Sequence, residues 1–194
     1  MNRYIRSRFV TVGVAAIALS FGLAACGGRD PFDIGWIQTP DTALLYSLAR
    51  PELNLPSAFD FHGGVARIVE SPRSTGLWDV ILDTQEDQLV FLLPEVLGIS
   101  SEARIIQLPG LSFDDVREAP ADTTAYTIDE PVPLAFGSVY VIRTRVGSDR
   151  FGFNCVFYAK MEVLDIDVQG GTLRFVHDTN PLCGDRDLIP PDDG

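Results

Sequence analysis

The chain has 194 residues and a net charge of −12 at pH 7, and Lys160 is its only lysine. Nucleic-acid binding requires clustered cations that displace counterions from phosphates, so we expect no nucleic-acid partner. The length suits one domain with a substantial core and excludes two well-packed domains.

The first 25 residues are organised like an export signal. Arg3, Arg6 and Arg8 give the chain a positively charged start, and no charged residue occurs from Phe9 to Ala25. This uncharged run of about 17 residues is at the lower limit for a helix that spans a bilayer. We therefore expect a cleaved signal, with an uncleaved membrane helix as the alternative.

The signal ends in Leu23-Ala24-Ala25-Cys26, which resembles the lipobox of bacterial lipoproteins. The resemblance covers only the leader. It implies that a diacylglycerol is attached to Cys26 and that residues 1–25 are removed as a lipoprotein signal peptide. In envelopes with two membranes, Gly27 after the lipidated cysteine implies sorting to the outer membrane. The alternative is an ordinary signal with cleavage elsewhere, which would leave Cys26 as an incidental thiol.

Three regions follow the signal peptide. Residues 26–31 are expected to be the lipidated cysteine and a short tether, residues 32–189 a single β-rich domain, and residues 190–194 a disordered tail. Without the signal and its three arginines, the net charge becomes about −15. An acidic surface is repelled by anionic lipid, so we expect the membrane to be a partner through the lipid on Cys26 alone.

The domain consists mostly of short apolar or alternating runs separated by turn-forming residues, which is typical of β-structure. Residues 77–82 and 88–93 predict a hairpin around the polar connection 83–87. The other predictions are strands at 65–69 and 104–108, and a strand or a short helix at 42–50.

A three-stranded meander is predicted from residues 138–145, 151–166 and 172–179. The odd positions of the middle strand are apolar from Phe151 to Val163, so we expect that face to be buried. Opposed residues share a face, which means that odd positions of the two neighbouring strands pair with each other.

A three-residue loop with Gly170 in the left-handed conformation sets the register of the last hairpin. The predicted pairs are Phe175 with Val163, His177 with Met161, and Cys155 with Cys183. An exported chain permits disulfides, so we expect a Cys155–Cys183 bond, with two buried free thiols as the alternative. Pro181 interrupts regular pairing just before Cys183. The overall prediction is an all-β fold: an antiparallel β-sandwich or partly open β-barrel with at most one or two short helices.

Four side chains are candidates for ligand binding. Asp60 and His62 lie on one side of an extended segment before Gly63-Gly64, with a structural glycine bulge as the alternative. Arg143 and Arg145 share one face of a strand and suit an anionic ligand, with pairing to the chain's own acids as the alternative.

His177 falls on the predicted core face, where we expect a hydrogen-bonded structural histidine. No pattern of ligands or nucleophiles predicts a metal site, a cofactor or a catalytic residue.

These patterns favour a non-catalytic module of the cell envelope that binds a protein partner or a glycan. The alternative is a carboxylate-based hydrolase of envelope or extracellular polymers, which predicts a cleft with two or more acids, at least one with a raised pKa. A third possibility is a structural lipoprotein that spaces the envelope. The acids eligible for the hydrolase are Asp79, Asp83, Glu130, Asp165 and Asp167.

Overall fold

The computed structural model of the chain describes residues 35–190. The predicted signal peptide, the lipidated Cys26 and the tether lie outside the described residues, as does the tail from residue 191. Helical geometry in the described part is limited to four 3-10 turns, at Pro72–Ser74, Pro94–Leu97, Phe113–Asp115 and Thr123–Ala125. No helix within residues 35–190 has the length and apolar character needed to cross a membrane.

The described residues form twelve strands, each antiparallel to its neighbours. The strands are β1 (Asp41–Tyr46), β2 (Ala58–Asp60), β3 (Val65–Arg67), β4 (Val80–Gln85), β5 (Gln88–Leu92), β6 (Arg104–Leu108), β7 (Val132–Pro133), β8 (Val139–Arg143), β9 (Gly147–Ser148), β10 (Asn154–Cys155), β11 (Tyr158–Asp167) and β12 (Thr172–Thr179). The first sheet has the order β1-β12-β11-β8-β6 and the second β3-β2-β4-β5-β7, while β9 and β10 pair only with each other.

The two five-stranded sheets pack face to face around one main core. Phe59 and Phe91 come from the second sheet, and Phe175 and Met161 from the first; all four are fully buried in the same cluster. The Phe59 and Phe175 rings meet edge to face with their centroids 5.2 Å apart. The electrostatic quadrupoles of aromatic rings favour this arrangement. The predicted all-β fold is confirmed, and it is a sandwich of two separate sheets.

The predicted hairpin near residue 85 exists, but its turn is shorter than expected. β4 and β5 pair as far as Gln85 with Gln88, so two residues connect them instead of the predicted five. Glu86 and Asp87 have φ of 49° and 60°. Positive φ at both central residues gives a turn whose twist matches the strands, which lets them continue further.

The register of β11 and β12 is confirmed at its centre and wrong at its loop. Met161 pairs with His177 and Val163 with Phe175, as predicted, but the register shifts between Val163 and Asp165. The extra residue lengthens the loop to residues 168–171, and Gly171 (φ 58°), not Gly170, takes the left-handed conformation.

The predicted middle strand of the meander is also wrong over its first residues. β11 begins at Tyr158, and Phe151 is exposed rather than buried. The Asp149 carboxylate accepts hydrogen bonds from the backbone N–H of Phe151 and of Phe153, both at 2.8 Å. Gly152 at φ 84° completes a turn, so the chain folds back into the β9–β10 hairpin.

The Cys155–Cys183 disulfide is present, with the two Cα atoms 5.7 Å apart. The ladder between β11 and β12 ends at Thr179, before Pro181, so the disulfide lies beyond regular pairing. A hydrogen bond of 2.9 Å from Gly184 N to Val156 O keeps the two segments adjacent. The bond therefore fastens the base of the β9–β10 hairpin to the segment after β12.

Candidate functional site

Asp60, at the end of β2, is held by two arginines. Its Oδ2 lies 2.8 Å from Arg67 Nη2 and its Oδ1 lies 3.1 Å from Arg145 Nη2. Asp60 is almost fully buried, and Oδ1 also accepts a hydrogen bond from Gly63 N at 3.0 Å. Both carboxylate oxygens are occupied by groups of the protein, so the predicted ligand-binding role of Asp60 finds no support in this geometry.

Asp79 is a second buried acid next to this pair. Its Oδ2 accepts a hydrogen bond from Phe61 N and its Oδ1 one from Arg145 N, each at 2.7 Å. The side chain has no solvent exposure. Burial raises the pKa of Asp79 to about 7, against the opposing effect of the two backbone N–H donors. Because Arg145 follows β8 and Phe61 follows β2, Asp79 joins segments from both sheets.

His62 packs against Phe157 and Gly147. Its ring stacks on Phe157 with centroids 3.8 Å apart and an interplanar angle of 15°. Gly147 packs directly against it, since a Cβ at that position would lie 3.0 Å from His62 Cδ2. The sequence predicted that Asp60 and His62 share a side; in the structure His62 lines a cavity whose lining does not include Asp60.

The two histidines of the chain line one cavity of about 270 Å³, here called the histidine cavity. The other lining residues are Thr39, Asp41, Phe61, Gly63, Gly64, Asp178 and Thr179. No set of three or more His, Cys, Asp or Glu side chains within residues 35–190 is placed to hold a metal ion.

His177 is buried in this cavity, and its Nδ1 does not make the predicted hydrogen bond within residues 35–190. Burial lowers the pKa of His177, while the charge of Asp41 opposes this shift. The ring packs edge to face on Phe59 with centroids 4.7 Å apart. The ring is therefore held by aromatic packing, and its burial favours the neutral form over the charged one.

Asp178 is the buried acid of the histidine cavity. Its Oδ1 accepts hydrogen bonds from Thr39 N at 3.3 Å and Thr179 N at 3.0 Å. Its Oδ2 is buried and has no partner among residues 35–190. Burial raises the pKa of Asp178, against the effect of these two backbone donors.

A second cavity of about 310 Å³, here called the tryptophan cavity, opens beside Arg145. Its lining residues are Gly76, Trp78, Pro94, Ile99, Ser100, Ser101, Glu102, Arg145 and Val146. Trp78 is largely buried, whereas Ile99 and Val146 are 43% and 47% exposed. The cavity therefore has an apolar wall that is open to solvent.

Local backbone geometry positions the loop of residues 98–102, which forms one wall of the tryptophan cavity. The 3-10 turn Pro94–Leu97 ends at Gly98, which has φ 72° and allows the chain to reverse. Ile99 N then donates to Pro94 O at 2.9 Å, and Ser101 N donates to Glu95 Oε1 at 2.9 Å. These hydrogen bonds fix the loop that carries Ile99 and Glu102.

Arg143 and Arg145, the predicted pair of arginines, have different positions at this cavity. Arg143 Nη1 donates to Glu102 Oε2 and to Glu102 O, both at 2.7 Å, and the hydrogen bond and charge of Arg143 lower the pKa of Glu102. Arg145 lies in the wall itself, and its Nε has no partner among the described residues. The two guanidinium groups do not form one grip, because each is paired with a different acid.

Lys160 is a buried cation that no pattern in the sequence marks as structural. It is fully buried in β11, and its Nζ donates to Phe113 O at 3.0 Å and Val116 O at 3.2 Å. Nζ also lies 4.5 Å from the centre of the Phe113 ring. Burial lowers the pKa of this amine. Through these two hydrogen bonds, Lys160 holds residues 113–116 against the outer face of the first sheet.

The two cavities differ in the chemistry that they offer. The histidine cavity contains Asp41 and Asp178, and the raised pKa of Asp178 matches the prediction made for a hydrolase. However, Asp178 Oδ2 is shielded from solvent and Oδ1 is engaged by backbone donors. The tryptophan cavity offers open apolar surface beside charged groups, an arrangement suited to binding. No protein-family model matches the chain, and a search of curated proteins finds no significantly similar sequence.

Proposed function

We propose that this chain is a lipoprotein of the bacterial cell envelope, held in the outer membrane by acyl groups on Cys26, whose β-sandwich binds a ligand without converting it. The leader supports the anchor through its charged start, its apolar run and Leu23-Ala24-Ala25-Cys26. Several acyl chains on one cysteine would hold the domain stably at a bilayer.

One observation carries the binding role: the tryptophan cavity combines open apolar surface with the charged side chains of Arg145 and Glu102. Its volume of about 310 Å³ lies at the lower end of the range for small-molecule sites. Ile99 and Val146 expose apolar surface, and the charged side chain of Arg145 lies in the wall beside them. A ligand with an apolar face and an oxygen acceptor would match both features.

A glycan fragment fits these features better than the surface of a protein partner. A sugar ring presents C–H groups on one face and hydroxyl groups at its edge, so it can cover Val146 while an oxygen accepts from Arg145. Glu102 and the two serines of the wall can take part in hydrogen bonds with hydroxyl groups. A concave site of this size suits one or two sugar rings.

Binding of envelope oligosaccharides to the mature chain tests this proposal. We expect Val146→Asp to weaken binding by roughly tenfold or more, because the carboxylate replaces apolar surface and competes for Arg145. Leu53→Asp is the matched control, since Leu53 is exposed and outside the cavity lining, and it should bind like the wild type. The measurement is an array of envelope oligosaccharides, followed by calorimetric titration of the strongest ligand.

Two outcomes would contradict a binding module. Absence of binding across the array, or equal binding by both aspartate variants, removes the tryptophan cavity from consideration. Release of new reducing ends from a bound oligosaccharide would favour the hydrolase instead. In that case Asp178→Asn should abolish the release, because the acid of the histidine cavity would then be part of the reaction.

A further inference from the structure

The segment between β8 and β11 carries large apolar side chains into solvent. We call residues 147–155 the aromatic hairpin; Phe151 is 66% exposed and Phe153 67%. Phe151 and Phe153 are two exposed aromatic rings only two residues apart on one short hairpin, and grouped exposed apolar side chains mark contact surfaces.

The aromatic hairpin is held in this position. Asp149 Oδ1 accepts from the N–H groups of both Phe151 and Phe153 at 2.8 Å, and Gly147 pairs with Cys155 across the β9–β10 ladder. The Cys155–Cys183 disulfide fastens the base of the hairpin. The two rings are therefore presented on a fixed support.

The aromatic hairpin lies at the end of the first sheet where the described chain begins. Asp41, the first residue of β1, pairs with His177 near the end of β12, and Thr39 N binds Asp178. Thr179 at the end of β12 pairs with Ala159 near the start of β11, which the hairpin precedes. Residues 35–40 and the hairpin thus share one end of the sandwich.

The covalent chain limits how far this end can be from the lipid anchor. Gly35 follows Cys26 by nine residues, and nine extended residues cover at most about 30 Å. The hairpin also carries one acid and one base, Asp149 and Arg150, so it lacks the net negative charge of the whole chain. It is not repelled by lipid headgroups as the rest of the surface is.

We infer that the aromatic hairpin inserts Phe151 and Phe153 into the interfacial layer of the membrane that holds Cys26. This inference rests on the proposed lipid anchor. Burying two aromatic rings at the headgroup boundary removes their apolar surface from water. The contact would fix the orientation of the domain and direct the opposite end of the sandwich away from the bilayer.

A tryptophan placed in the hairpin tests this contact. The lipidated mature protein carrying Phe151→Trp is reconstituted into phosphatidylcholine–phosphatidylethanolamine vesicles whose acyl chains are brominated, because bromine quenches tryptophan at short range. The matched control is Phe136→Trp: Phe136 is 76% exposed and precedes β8 at the opposite end of the sheet. Trp36 and Trp78 are buried and contribute the same background to both variants.

We expect brominated lipid to quench at least half of the fluorescence added by Phe151→Trp and to leave that added by Phe136→Trp unchanged. If the protein floats with the vesicles but the two variants are quenched equally or not at all, the hairpin inference is overturned and the anchor stands. A protein that does not float and whose mass lacks acyl groups overturns both. Shielding of residue 151 only by added envelope proteins would assign the hairpin to a protein partner and overturn the membrane contact.

Discussion

Phe175→Ala is expected to destabilise the domain by about 3–5 kcal/mol. Phe175 is fully buried where the two sheets meet, and its ring centroid lies 5.2 Å from that of Phe59 and 6.3 Å from that of Phe91. Alanine would lose the transfer free energy of the ring and leave a cavity that rigid neighbouring strands cannot close. Urea denaturation followed by circular dichroism measures the change.

The matched control for this substitution is Phe136→Ala. Phe136 is exposed and packs in no core cluster of the described residues, so its loss should change the free energy of unfolding by less than about 0.5 kcal/mol. Similar small effects for both variants would contradict the packing of the two sheets around Phe175.

Asp79 is expected to make stability fall as pH rises from about 4 to 7. Burial raises the pKa of the folded-state carboxyl from 3.8 to about 7, so the folded protein binds this proton more tightly than the unfolded chain does. The resulting stabilisation is complete below the unfolded pKa and is lost as pH rises through the folded pKa. The shift corresponds to about 4 kcal/mol in total.

Asp79→Asn isolates this effect, because an amide has no titration in this range. The variant loses one acceptor for the N–H groups of Phe61 and Arg145, so at pH 4 it should be less stable than the wild type by about 1–3 kcal/mol. The deficit should shrink with rising pH and reverse before pH 7. The lowered pKa of His177 makes stability rise with pH, and the raised pKa of Asp178 makes it fall, as Asp79 does. Both groups are present in both proteins, so their effects cancel in the comparison.

Urea denaturation of both proteins at several pH values measures the difference. A deficit that stays constant or grows with pH would mean that Asp79 is ionised in the folded protein at neutral pH. Its role would then be that of a charged partner of the two backbone donors, and the raised pKa would be contradicted.

The sequence predicted those parts of the fold that depend on alternation within single strands. The pairs of Met161 with His177 and Val163 with Phe175 followed from the shared parity of apolar residues. The predicted loop length was wrong because a bulge between Val163 and Asp165 shifts the register by one residue. The residue types at this position do not signal the bulge. Phe151 was misplaced for a similar reason, since apolar parity continues through a turn that Asp149 and Gly152 impose.

The candidate site was predictable only in part. All four proposed ligand residues lie in or beside the two cavities. Their partners depend on how the sheets pack, and Asp60 forms ion pairs with Arg67 and Arg145. The tryptophan cavity draws its walls from residues 76–78, 94–102 and 145–146, which are distant in sequence. No local pattern distinguishes the buried Asp79 from acids on the surface.

The chemical state of Cys26 decides whether the domain is anchored by lipid. The mature protein is purified from membranes of the source organism, and its amino-terminal peptide is analysed by mass spectrometry. We expect a chain that begins at Cys26 and carries a diacylglycerol and further acyl mass, and that leaves the membrane fraction when Cys26 is changed to Ala. An unmodified Cys26 within a mature chain that begins elsewhere would contradict the lipid anchor, and with it the orientation of the domain at the membrane.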